Sequence, residues 1–263
     1  MDYSSYKHMQ IERRDRILTI TLNRPPMNPI HYELHHELSR IWYQVQVDSE
    51  CDVVIFTGAG NVFSAGGDIP MMQKRIDNPE LFHRKNLEMK QMIFGLLDLE
   101  KPVIARINGD CIGLGATLAL LCDILIAVDD ARFCDPHVQM GYVAGDGGAV
   151  IWPQLIGFAR AKEYLLTGDM LDAKEAERIG LINHAVPRDQ LDTKVNALAE
   201  KLAGGATKAI KWTKTCINIP LRQLAHSIMD ASIAYEGQSN RTADHAEAVA
   251  AFREGRQPTF VGR

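Results

Sequence analysis

Cysteine is scarce in this chain: five residues, Cys51, Cys111, Cys122, Cys134 and Cys216, with no Cys-x-x-Cys pair among them. An odd set without paired spacing excludes a disulfide framework and a structural zinc site, and points to reduced thiols in a cytoplasmic protein. Basic charge is not in surplus, since 29 Lys and Arg stand against 33 Asp and Glu for a formal net charge of −4. Nothing in that balance would neutralise phosphates or an anionic bilayer, so neither nucleic acid nor membrane is expected as a partner. Long apolar runs are missing too. Leu118–Val128 is interrupted by Asp123 and is far shorter than the roughly 20 residues a spanning helix needs. Met1–Lys7 has no basic patch leading into an apolar run, so no secretory leader is expected. There is no internal repeat and no low-complexity segment. No Gly-Lys-Ser/Thr ends a glycine-rich loop and no Gly-x-Gly-x-x-Gly follows the first strand, which excludes nucleotide and dinucleotide fingerprints. His31 and His35 share one helix face, expected to be solvated, but lack a third ligand, so no metal is expected.

What remains is a chain of 263 residues, 46% hydrophobic and 24% charged, ample for a sizeable core. Ile17–Leu22 alternates as a strand with Met9–Glu12 as its hairpin partner, and an apolar stripe of Leu34, Leu38, Ile41, Trp42 and Val45 predicts a helix from Tyr32. Val53–Phe56, Val103–Ile107 and Ile124–Val128 read as buried strands. Helices are predicted over Phe82–Leu97 and Gly115–Leu121. Strands alternating with helices imply parallel pairing and an α/β architecture. After about residue 190 the pattern turns helical, over Leu191–Leu202, Ala206–Ile217 and Leu221–Tyr235. The expected division is an α/β core over residues 1–190 and a helical oligomerisation region over 191–263.

Two glycine-rich segments each follow a predicted strand, Thr57–Ile69 and Asn108–Thr117. Glycine lets a backbone N–H approach a ligand closely, so two such loops can converge on one oxyanion. The residues in and around them carry a resemblance that runs over nearly the whole chain. Leu22-Asn-Arg-Pro25, Phe63-Ser-Ala-Gly-Gly-Asp-Ile69, Lys101-Pro-Val-Ile-Ala105, Asn108-Gly109 with Gly113-Leu-Gly115, Leu121-Cys-Asp123, Leu165-Leu-Thr-Gly168, Ala176–Leu181 with Val186-Pro187, and Ala250-Ala-Phe252 together resemble the enoyl-CoA hydratase/isomerase, or crotonase, superfamily. The resemblance implies a crotonase-like spiral of ββα turns with a C-terminal α-helical trimerisation region, assembled as homotrimers or hexamers. It also implies an acyl-CoA substrate, with coenzyme A as part of that substrate and no permanently bound cofactor.

Carried over by position, the resemblance places the oxyanion hole at the backbone N–H groups of Gly67 and Leu114, where leucine replaces the more usual glycine. It places the adenine end of CoA at Ala65, Asp68 and Ile69. Fixed donors of this kind stabilise charge developing on a thioester oxygen, and losing one costs roughly 2.7–4 kcal/mol. The family's two hydratase glutamates are absent: Thr117 and His137 occupy their places. Asp146 is the carboxylate nearby in sequence. It resembles the base of dienoyl-CoA isomerases, and His137 with Asp146 resembles the His/Asp pair of β-diketone hydrolases. Asp146 also suits a helix N-cap, and His137 a turn after Pro136. Cys111 reads as a small buried residue, and Asp244 with Glu247 as a capping pair for the last helix. The acyl-pocket wall is expected from Met71 to Met89 and around Trp152. The leading expectation is hydration of a 2-enoyl-CoA. The alternatives are dienoyl-CoA isomerisation, β-diketone-type C–C hydrolysis through His137 and Asp146, or a non-catalytic binding protein on the same scaffold.

Overall fold

A computed structural model describes residues 1–263. The chain opens with the hairpin β1 (Met9–Arg14) and β2 (Ile17–Leu22), then α1 (Tyr32–Val47), whose apolar stripe is buried as its spacing predicts. β3 (Val53–Gly58) is buried at every position and is followed by α2 (Ile69–Asp77), α3 (Glu80–His83) and α4 (Asn86–Asp98). Next come β4 (Val103–Ile107), the two-residue β5 (Cys111–Ile112), α5 (Leu114–Leu120), β6 (Ile124–Val128) and β7 (Arg132–Cys134). The remainder is α6 (Gly148–Thr167), β8 (Leu171–Asp172), α7 (Ala173–Ile179), β9 (His184–Val186), α8 (Leu191–Ala203), α9 (Thr207–Ser239) and α10 (Ala243–Glu254).

Six strands form one sheet in the order β1-β2-β3-β4-β6-β9, and β5-β7-β8 form a second. Only β1–β2 is antiparallel in the larger sheet; the other pairs run parallel, as strands linked by crossover helices must. This is the crotonase-like α/β core that the sequence predicts. Its hydrophobic cluster continues from the sheet into α8 and α9 through Leu191, Val195, Ala225, Met229 and Ile233.

The structure differs from the sequence pattern in several elements. The helix predicted over Phe82–Leu97 is broken at Arg84 and Lys85 between α3 and α4. The two helices predicted on either side of Pro220 are one, α9, which runs through that proline. The carbonyl freed four residues earlier belongs to Cys216, which is exposed and open to water. β5, β7, β8 and β9 span two or three residues each, too short for alternation to register. The cap of α10 is Thr242, whose side chain accepts from His245 N–H; Asp244 instead accepts the N–H groups of Val261 and Gly262 and ties down the C-terminal tail.

The parallel register aligns Ile55 with Ile104 and Thr57 with Arg106, so both glycine-rich loops leave the same edge of the sheet. They then lock together. Ile112 N–H donates to the Ser64 carbonyl at 2.9 Å, and Ser64 pairs with Cys111 in an isolated parallel bridge. Gly66 has φ +81°, and a Cβ there would lie 2.8 Å from the Ile112 carbonyl oxygen. Gly66→Ala therefore meets a left-handed backbone and a backbone clash together. Urea unfolding should show a loss of at least about 1–2 kcal/mol, and a change within about 0.5 kcal/mol would show that the loops are not locked at this contact.

Candidate active site

A cavity of about 540 Å³ opens where the two loops meet, within the size range of small-molecule sites. Its wall includes Ala65, Gly67, Asp68 and Ile69 from the first loop, Leu114 from the second, and His137 and Asp146 from the segment between β7 and α6. All seven residues picked out from the sequence thus border one space. The Gly67 N–H has no acceptor within the protein. Leu114 is the first residue of α5, where the N–H has no intrahelical partner. The Asp68 side chain is already engaged: it caps α2 through Met71 N–H and pairs with Arg24 at 2.6 Å. Ala65 donates its N–H to the Met27 carbonyl at 2.8 Å. Met71, Met72 and Met89 form much of the apolar wall. Trp152, expected in that wall, is buried away from it.

His137 sits between two acids. Its Nδ1 meets Asp135 Oδ1, and its Nε2 lies 3.4 Å from Asp146 Oδ2. The other Asp146 oxygen accepts from Thr117 Oγ1 at 3.2 Å. The threonine that replaces a family glutamate thus serves the aspartate that stands nearby. Burial alone would push the His137 pKa down; the charges of Asp135 and Asp146, with their hydrogen bonds, outweigh it and hold the pKa well above the usual histidine value. Burial likewise pushes Asp146 up, but the His137 charge and hydrogen bonds from His137, Thr117 and the Gly148 backbone bring it below the ordinary carboxylate value. Both shifts favour the imidazolium–carboxylate form of the pair. The N-cap of α6 is Gly147 rather than Asp146, which leaves the Asp146 carboxylate to face His137 and the cavity.

The structure adds a carboxyl that motif matching does not reach. Glu236, near the end of α9, lines the same cavity at 4% exposure, and its Oε2 is buried without a partner. Burial raises its pKa first and the Asp146 charge second; His137 and Arg75 offset only part, leaving it at about 8. Gly145 makes this approach possible, because a Cβ there would lie 2.5 Å from the Ser232 carbonyl oxygen and 2.7 Å from Glu236 Cβ. A signal for Glu236 is present in the sequence. Ala225, Met229, Ser232, Ile233 and Glu236 are all buried on α9, and a buried acid on such a helix face needs a reason. Asp135 is a second addition, two residues from His137, and only its contact with the imidazole reveals its part in the site.

Two other residues weighed from the sequence have structural roles. His35, expected on a solvated face, is buried and bonds Glu88 Oε2 through Nδ1 at 2.9 Å, with its pKa lowered by burial. His31 packs edge-on against His8. Cys111 is fully buried, and burial raises its pKa well above the thiol value, so it is no nucleophile.

The sequence profile of the enoyl-CoA hydratase/isomerase family matches residues 12–263. A short-chain-enoyl-CoA hydratase from Clostridium acetobutylicum is 35% identical over 254 residues, covering 94% of this chain and 95% of its own. The crystal structure of an enoyl-CoA hydratase/isomerase from Mycobacterium paratuberculosis superposes with a TM-score of 0.89 at 34% identity, covering 92% of this chain and 97% of that one. A β-diketone hydrolase from the cyanobacterium Anabaena superposes with a TM-score of 0.85 at 27% identity, covering 91% and 96%. Fold and sequence agree over nearly the whole length, and the chain is an enzyme belonging to the enoyl-CoA hydratase/isomerase family.

Proposed function

We propose that the protein adds water to the double bond of a 2-enoyl-CoA thioester. The observation that carries this reading is the presence of two carboxyl groups in one cavity, Asp146 held ionised and Glu236 held protonated near neutrality. Hydration needs one group that takes a proton and another that gives one, and pairs whose pKa values are pushed apart suit that division of labour. The thioester oxygen lies between the Gly67 and Leu114 N–H groups. Asp146 takes a proton from water as its oxygen bonds to the β-carbon. The electron pair of the double bond moves through the α-carbon to the thioester oxygen, where the two N–H groups hold the enolate charge. The enolate collapses as Glu236 gives its proton to the α-carbon. The proton on Asp146 then returns to Glu236 through solvent. His137 is a positioning residue: an imidazolium between two acids accepts no further proton, but its charge keeps Asp146 ionised.

The CoA portion belongs to the same proposal. Ala65 offers a carbonyl that accepts no protein hydrogen bond, suited to the adenine amino group. Asp68 and Ile69 border the same end of the cavity, and Asp68 shapes it through its cap on α2. Coenzyme A enters as part of the substrate, with no separate cofactor in the cycle. Exposed Phe158, Leu166, Trp212 and Ile217 support assembly into homotrimers or hexamers. No helix is long and apolar enough to cross a membrane, which accords with the proposed cytoplasmic location.

Hydrolytic C–C cleavage of a β-dicarbonyl is the second reading, supported by the His137–Asp146 pair and by the likeness to the β-diketone hydrolase. There Asp146 would activate water against a carbonyl carbon, and the oxyanion donors would hold the departing enolate.

With a panel of 2-enoyl-CoA substrates, the wild type should remove the conjugated-thioester absorbance and yield a 3-hydroxyacyl product. Asp146→Asn should lower kcat by about 10²-fold or more, the usual contribution of a positioned acid or base. Failure to hydrate any of the panel, with cleavage of a CoA-free cyclic 1,3-diketone, would replace this reading by the second. The pH profile gives a separate check. A carboxyl with its pKa raised to about 8 is protonated below that value and loses its proton above it, so kcat/KM should fall as pH rises through about 8. Glu236→Gln should be slower by about 10²–10⁴-fold and should lack that alkaline limb; an unchanged limb would remove Glu236 from the mechanism.

A further inference from the structure

Three lysine or arginine side chains are buried in this protein: Arg75, Lys101 and Lys214. Lys101 donates to the carbonyls of Val45 and Asp48, and Lys214 donates to the Lys101 carbonyl at 2.9 Å and pairs with Asp123 at 2.7 Å. Arg75, only 6% exposed, has no carboxylate within ion-pair distance, and its Nε is buried without any hydrogen-bond partner. A buried cation left unpaired carries a large desolvation cost. A protein that keeps one inside a ligand cavity leaves room there for an anion.

The surroundings of Arg75 have the form of such a site. Its guanidinium carbon lies 5.6 Å from the Tyr32 ring centre and 5.4 Å from that of Phe82, so the two rings hold the planar group by cation–π attraction. The Asn240 side chain donates to the Arg75 carbonyl at 3.0 Å and fastens the last turn of α2 to the end of α9. Glu236, the carboxyl that shares the cavity with Arg75, forms no ion pair with it. The cavity that Arg75 borders is also lined by Met71, Met72 and Met89. Ile69, at the start of α2, and Arg75, in its last turn, both border the cavity, about 9 Å apart along the helix at roughly 1.5 Å per residue. α2 therefore lines the cavity and carries a fixed cation whose charge reaches Glu236.

We infer that Arg75 sets acyl specificity by receiving a carboxylate carried on the acyl group, so that the substrate is the monothioester of a dicarboxylic acid rather than a simple fatty acyl thioester. The inference rests on the reading of the cavity as an acyl-CoA site and adds the chemical class of the acyl group. A planar guanidinium presents paired N–H donors that match a carboxylate in bidentate fashion, and the methionine-lined wall accommodates the methylenes between the two ends.

The test is titration calorimetry of the intact protein with saturated straight-chain acyl-CoA thioesters, each compared with its counterpart ending in a carboxylate. Saturated ligands report binding without requiring any reaction. In the wild type, the carboxylate-ended member of at least one pair should bind about 10- to 100-fold tighter, the range charge-assisted hydrogen bonds provide. Arg75→Met should abolish that preference, and Arg75→Lys should retain part of it, since lysine keeps the charge without the fork. Thermal melting confirms that each variant is folded, and the wild-type comparison stands without them. Thioesters that bind with no preference in any pair, or a preference that survives Arg75→Met, would overturn the inference while leaving the acyl-CoA reading intact. Absence of binding by both members of every pair would overturn both.

Discussion

The site depends on the locking of two glycine-rich loops at one edge of a parallel sheet. β3 and β4 run side by side in register, so the chain leaves both strands in the same direction and within reach of itself. Gly66 then packs so closely on Ile112 and Gly113 that a single added carbon would strike backbone. From that contact α2 and α5 begin, Gly67 and Leu114 border one cavity, and Thr117 comes within hydrogen-bond distance of Asp146. The rest of the site is arranged around a position fixed by backbone geometry.

Electrostatics decides what that position can do. Asp135, His137, Asp146 and Glu236 are brought together from two distant parts of the chain in a volume that excludes most water. Asp135 and Asp146 each engage one nitrogen of the His137 ring. A third carboxyl beside them cannot ionise cheaply, since it faces burial and the Asp146 charge together. Glu236 is thus held protonated by its burial first and by the Asp146 charge second, against the opposing charge of His137. The familiar pair of hydratase glutamates is missing from its usual places, yet the proposed chemistry still finds one proton acceptor in Asp146 and one proton donor on α9.

Local pattern carries the core of the fold well. The hairpin, α1, β3, β4, β6 and α8 follow from alternation and helical spacing in the sequence, because each is long enough for periodicity to show. The strands of two and three residues do not register, and Pro220 has the look of a break although its loss of one hydrogen bond leaves only a solvent-exposed carbonyl. For the site, the two loops and the His137–Asp146 pair are legible because they lie in short motifs that resemble a family. Glu236 and Arg75 are not, because each occupies a helix position whose meaning depends on what packs opposite. Both fall on the buried side of their helices, Glu236 with Met229 and Ile233, Arg75 with Met71. A charge on such a face is the trace that sequence leaves of a buried functional group. His35 shows the limit of that rule, since it is equally buried but is satisfied by Glu88.

The proposed cycle requires Glu236 and Asp146 to hold opposite protonation states in the resting enzyme, and infrared difference spectroscopy between the wild type and Glu236→Gln tests this directly. At pH 7 the wild type should show the carbonyl stretch of a protonated carboxylic acid, absent from the variant and fading as the pH is raised past about 8. A carboxylate band alone at pH 7, with no protonated signal assignable to Glu236, would contradict it.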